Sequence, residues 1–130
     1  MEEIVRRARG STRPITLTIL IGDDKQDLTG ATVTIYVLDT QYYRGTDYDA
    51  PYTNVSNYAG PGTLKVDGAS ATVAANQTTN KGEVTWTPTS THTDTPGMYW
   101  LQPWVVFADS SEDAPEPIRF EVYDSLKALS

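Results

Sequence analysis

The chain has no cysteine and a single histidine, His92. Disulfides, thiolate metal sites and cysteine nucleophiles are excluded, and zinc, which takes several Cys or His ligands, is not expected. No apolar run approaches the roughly eighteen residues that a membrane-spanning helix needs. The opening residues, MEEIVRRARG, lack the apolar stretch of a secretory signal, so synthesis in a cytosol is expected. Positive charge is also scarce: the formal net charge is -7 at pH 7. Nucleic acid is therefore not expected as the main partner, because phosphates need a basic footprint. Stability must come from packing and backbone pairing alone.

The positive charge that is present crowds one end. Arg6, Arg7, Arg9 and Arg13 fall in the first stretch, and acidic residues dominate from Pro14 onward. Residues 1–13 read as a basic N-terminal arm and residues 14–124 as a single body. Residues 125–130 form a tail too short to hold a helix by itself. A basic arm on an acidic body can dock on an acidic neighbour through Arg6, Arg7 and Arg9, or it can be a solvated tail.

Strand chemistry dominates the body. In ITLTILI, residues 15–21, Ile15, Leu17, Ile19 and Ile21 share one face, and Gly22, Asp23 and Asp24 then break the run. In ATVTIYVL, residues 31–38, Ala31, Val33, Ile35 and Val37 share a face. Residues 63–66 and 71–75 are two further short candidates. A turn at residues 80–82 precedes a strand that points Val84 and Trp86 to one side. An aromatic run follows over residues 98–107, and Ile118, Phe120 and Val122 alternate in a closing strand. About seven short antiparallel strands with turn signals between them predict an all-β sandwich.

Residues 39–62 break the pattern. Tyr42, Tyr43, Tyr48, Tyr52 and Tyr58 lie there among Gly, Asp, Asn and Pro. A structureless loop of this length is uncommon in a compact domain. Three readings stay open: a contact with another subunit, a sugar-binding surface, or a loop packed on its own tyrosines.

Catalytic chemistry finds little support. In THTDTPGMYW, residues 91–100, His92 and Asp94 share a face if the segment is extended, yet no nucleophile motif accompanies them. The plain alternative is a loop histidine among turn-forming threonines. The carboxylate pairs at Asp23 and Asp24, Asp47 and Asp49, and Glu112 and Asp113 all fall in expected loops. None has EF-hand spacing, and no Gly-rich phosphate loop is present. No cofactor is expected. Two glycosylation sequons, at Asn54 and Asn76, read as chance without a secretory signal.

Three pieces carry a family likeness: DLTGATVTIYV at residues 27–37, GEVTWTP at 82–88, and DTPGMYW at 94–100, closing with VVFAD at 105–109. In this order they resemble the small immunoglobulin-like domain of tailed-phage virion proteins, including the N-terminal domain of the upper baseplate protein. The resemblance covers roughly two thirds of the chain and leaves out the Tyr-rich stretch. It implies a non-enzymatic virion component, made in the host cytoplasm, whose partners are other phage structural proteins and symmetry-related copies. Its place would be tail, baseplate, neck or capsid surface. A module that binds a host surface glycan is the alternative. Within the matched pieces, Leu28 is expected to pin its loop to the core, with Gly30 in a permissive turn.

Similar domains usually have an aromatic residue where this chain has Pro103. Proline cannot donate to a ladder, so the strand either bulges at Gln102-Pro103, which turns Trp104 inward in place of the missing aromatic, or lies at an edge there. Without a bulge, Tyr99, Leu101, Val105 and Phe107 face the core, and Met98, Trp100, Trp104 and Val106 face outward. Trp100 and Trp104 are then candidates for contact with a partner or with the Tyr-rich loop.

Overall fold

The computed structural model describes residues 4–39 and 64–126, and all elements among them are strands. They are β1 (Ile4–Ala8), β2 (Ile15–Thr18), β3 (Leu20–Ile21), β4 (Asp24–Lys25), β5 (Thr32–Asp39), β6 (Leu64–Val73), β7 (Glu83–Trp86), β8 (Gly97–Val106), β9 (Glu112–Asp113) and β10 (Ile118–Tyr123). The main sheet runs in the order β1-β10-β8-β5-β6-β7-β2, with β9 also paired to β8. β3 and β4 form a separate hairpin. The fold is all-β, with one mixed sheet that wraps round its own core and comes close to a barrel.

The wrap is made at β6. Its first part pairs with β5 and its last residues, Thr72 and Val73, pair with Thr85 and Val84 of β7. Strands that turn a corner between two layers do so through bulges. β6 has two, where its register against β5 slips between Ile35 and Tyr36 and again between Val37 and Leu38. Gly68, at φ +94°, lies in the first of them. The two short strands expected at 63–66 and 71–75 are therefore halves of one bent strand.

Alternation decides which residues fill the interior. Ile15, Leu17, Ile19, Val33, Ile35, Val37, Val84, Trp86, Tyr99, Leu101, Val105, Phe120 and Val122 are all buried in one cluster. Leu28 is fully buried, as its loop required. Gly30, at φ +77°, closes the turn in which the Ala31 N–H donates to the Leu28 carbonyl (2.9 Å). At about 25 cal/mol per Å² of apolar surface, each of these side chains contributes about 1.5–3 kcal/mol of burial free energy.

Two expectations need correction. The residues read as an N-terminal arm include a strand: β1 lies against β10 from Ile4 beside Arg119 to Ala8 beside Tyr123. This pairing is parallel, so the strands are not all antiparallel. Val5 explains the docking, since it is the β1 side chain that enters the core, next to Phe120.

Candidate functional site

The stretch around His92 is a structural corner. The His92 N–H donates to the Thr89 carbonyl (3.0 Å), and its Nδ1 accepts from the Thr89 N–H (3.1 Å). The ring lies 5.6 Å from the Trp86 ring, centroid to centroid. Burial, and then the charge of Lys65, push the His92 pKa down. Asp94 turns to other partners: Lys65 pairs with its carboxylate and Thr95 Oγ1 donates to it (2.8 Å). Those bonds, the Lys65 one first, hold Asp94 below the usual carboxylate range. Thr93, fully buried, ties the corner to the N-terminal segment. Its Oγ1 donates to the Ser11 carbonyl (2.9 Å), and the Gly10 N–H donates to the Thr93 carbonyl (2.9 Å). Each polar group of the corner named here is engaged in holding a turn.

Tyr99 completes the corner. Its ring is buried, and its hydroxyl donates to the Thr95 carbonyl four residues upstream (2.6 Å). The motif was legible as a tyrosine just after Thr-Pro-Gly, but alternation alone marked Tyr99 only as a core residue.

A second polar keystone had no sequence signal. Gln77 is 8 % exposed. Its Oε1 accepts from the N–H groups of Leu28 (3.0 Å) and Gly82 (3.0 Å), and its Nε2 donates to the Ala74 carbonyl (2.8 Å). One side chain thus joins the DLTG loop to the turn that leads into β7. It also forms part of the floor of a shallow groove of about 730 Å³ lined by Asp27, Thr29, Asn76, Thr78 and Lys81.

The outer face of β8 and β5 is the better candidate for recognition. β8 has no slip against β5, with Thr32 opposite Val106 through to Asp39 opposite Tyr99. Alternation therefore continues, and Trp100 and Trp104 both turn away from the core. Their environments differ. Trp100 is 3 % exposed, packed with Leu38 and Leu64 and with the Arg119 guanidinium 5.2 Å from its ring centroid. Trp104 is 38 % exposed and fixed by a bond from its Nε1 to Glu112 (2.8 Å). Thr34 lies opposite Trp104, and Tyr36 opposite Gln102. A partly bare indole already pinned by one hydrogen bond on the outer sheet face suits docking, because part of its side-chain freedom is lost before a partner arrives.

The expected contact residues thus separate. Trp104 presents a face to solvent and Trp100 does not. Arg6 pairs with Glu121 (2.9 Å) and Arg9 with Asp124 (3.0 Å). Arg7 donates to the carbonyls of Arg6 (2.8 Å) and Pro14 (2.9 Å). These arginines dock on acidic and carbonyl groups of their own chain. Tyr42, Tyr43, Tyr48, Tyr52 and Tyr58 lie outside the described residues. Among the described residues, no three His, Asp or Glu side chains converge as a metal site. In comparisons with known proteins, no family model matches the chain and no curated protein matches it significantly.

Proposed function

We propose that the chain is a structural, non-enzymatic subunit that acts by docking. Given the likeness described above, it is a small accessory component of a tailed-phage particle. The observation that carries the docking role is Trp104, a partly exposed indole pinned on the outer sheet face by its bond to Glu112.

The immunoglobulin-like reading of the fold has support from the strand order. In that fold one layer holds strands A, B, E and D and the other C, F and G. Here β2 beside β7 stands for B and E, and β5, β8 and β10 stand for C, F and G. β6 takes the bridging place between them. The Tyr99 hydroxyl bond at the start of β8 corresponds to the tyrosine corner of that fold.

Mass spectrometry of gradient-purified particles from a host carrying the gene tests the role. The chain is expected at a fixed ratio to the major structural proteins, and Trp104→Ala is expected to lower that ratio. Absence from particles would refute the proposal. Saturable binding to host polysaccharide, with that absence, would establish the glycan-binding alternative instead.

A further inference from the structure

We propose that the Ile4–Ala8 strand and the groove along β10 form an exchangeable strand and acceptor, through which a second copy of this chain docks. The proposal does not depend on the particle reading, because exchange can be measured on the purified chain.

Four features lead to it. First, β1 ends the sheet path and pairs there with β10 alone. Second, its apolar anchorage is slight: Val5 enters the core, while Ile4 is 38 % exposed. Third, its remaining side-chain ties are exposed: Arg6 pairs with Glu121, Arg7 donates to the Pro14 carbonyl, and Arg9, just past the strand, pairs with Asp124. Surface pairs of this kind contribute only about 0–1 kcal/mol each. Fourth, β1 and β2 stand at opposite ends of the path, so residues 9–14 are a crossing linker between them. Thr93 holds both residues of the turn, its carbonyl accepting from the Gly10 N–H and its Oγ1 donating to the Ser11 carbonyl, so the pivot falls just before them, at Arg9.

A strand leaving its own groove loses contacts that the same strand of a second copy restores one for one. Val5 seats beside Phe120, Arg6 meets Glu121, and Ala8 lies beside Tyr123 in either arrangement. The exchange therefore alters the linker backbone and the entropy of association and little else. A second copy is the occupant that fits, since its basic strand matches the acidic rim of Glu121 and Asp124. The closed form is favoured by an effective concentration in the millimolar range, as for short flexible linkers generally. Crowding of copies in an assembly brings the exchanged form into competition with it.

The absence of native cysteine makes the test clean. Arg6 and Glu121 are register partners, and adjacent strands lie about 4.8 Å apart, within disulfide reach. One full-length variant carries Arg6→Cys and another Glu121→Cys. They are mixed at high concentration, equilibrated and oxidised. A disulfide between the two different chains forms in register only if β1 of one lies on β10 of the other. The expected yield is severalfold above that of Arg6→Cys mixed with Lys25→Cys, a collisional control, and exchange is faster at higher salt. The double variant Arg6→Cys/Glu121→Cys is expected to close within one chain when dilute. No excess over the control at high concentration would overturn the proposal, as would failure of the double variant to close internally.

Discussion

Replacing Gln77 with alanine removes one acceptor shared by two buried N–H groups and the donor that answers the Ala74 carbonyl. Leaving a buried donor unpaired costs about 1–3 kcal/mol, so the two N–H groups together set a ceiling of about 6 kcal/mol. Water entering from the adjoining groove can answer one of them, which brings the expected loss to about 2–3 kcal/mol. Against a total stability of about 5–15 kcal/mol, that is a large fraction. For a chain of this size it corresponds to a fall in Tm of about 10 °C.

Gln77→Glu separates the acceptor from the donor. The carboxylate still accepts from Leu28 and Gly82, but its second oxygen now faces the Ala74 carbonyl. Only the protonated acid can donate there. Burial and the Ala74 carbonyl favour the acid, while the Leu28 and Gly82 N–H groups favour the carboxylate. The first two are expected to prevail and to raise the folded pKa above the unfolded value of about 4.3. Stability relative to the parent is whole below that unfolded value. It is lost progressively as pH rises through the folded pKa, because the unfolded chain releases the proton first. Urea titrations of both variants at neutral and mildly acidic pH measure this. An alanine variant within about 0.5 kcal/mol of the parent would refute the keystone role, and a pH-independent glutamate deficit would refute the assigned donor.

Tyr99→Phe keeps the ring and strands the Thr95 carbonyl; a loss of about 1–2 kcal/mol in chemical denaturation is expected. Trp100→Ala should cost about 3–5 kcal/mol, as for a buried aromatic, and Trp104→Ala clearly less, since Trp104 already keeps 38 % of its surface in water. Equal losses in thermal melts would contradict the assignment of Trp104 as the docking residue. The NMR midpoint of the lone histidine is expected below its ordinary 6.5, as burial and Lys65 require. Because that folded pKa is depressed, the His92 contribution is complete above about 6.5 and is lost as pH falls through the folded value. A midpoint at or above 6.5 would contradict the burial of the His92 ring at this corner.

Much of the interior was legible because period-two alternation is a direct record of burial. Ile15, Leu17, Val33, Ile35, Val84, Trp86, Phe120 and Val122 all follow it. What was not legible depends on pairing over distance. β1 reads as a charged arm because its partners Glu121 and Asp124 are 115 residues away, and nothing local announces that salt-bridged ladder. β6 reads as two fragments because Asp67 and Gly68 have poor strand propensity; in the sheet Asp67 keeps register with Tyr36, and Gly68 is the extra residue of one bulge. Gln77 carries no pattern of its own: its importance lies in which three loops meet around it. Alternation left the face of Trp104 open, because a bulge at Pro103 would turn it inward, and even where it assigns a face it does not assign the cover. Leu38, Leu64 and Arg119 close over Trp100 and not over Trp104.

Pro103 shows how such a conflict resolves. A proline within a strand paired on both sides should break a ladder, and β8 lies between β10 and β5. Yet the register of β8 against β5 passes through Pro103, opposite Ile35, without a slip. The Phe107 N–H donates to the Ser111 carbonyl on the β9 side. N–H groups alternate along a strand, so the residues two and four before Phe107 point the same way, and Pro103 is one of them. On that side the β10 pairing ends at Leu101 and the β9 pairing begins at Val105. Pro103 therefore lies in the interval between two partners, where no N–H is asked for. The Gln102 side chain fills part of that interval with its bond to the Pro115 carbonyl (2.9 Å). The ring itself points to the core. Because no bulge is needed, Trp104 stays on the outer face. The proline is thus compatible with the exposed indole, and a bulge at this point would have buried it.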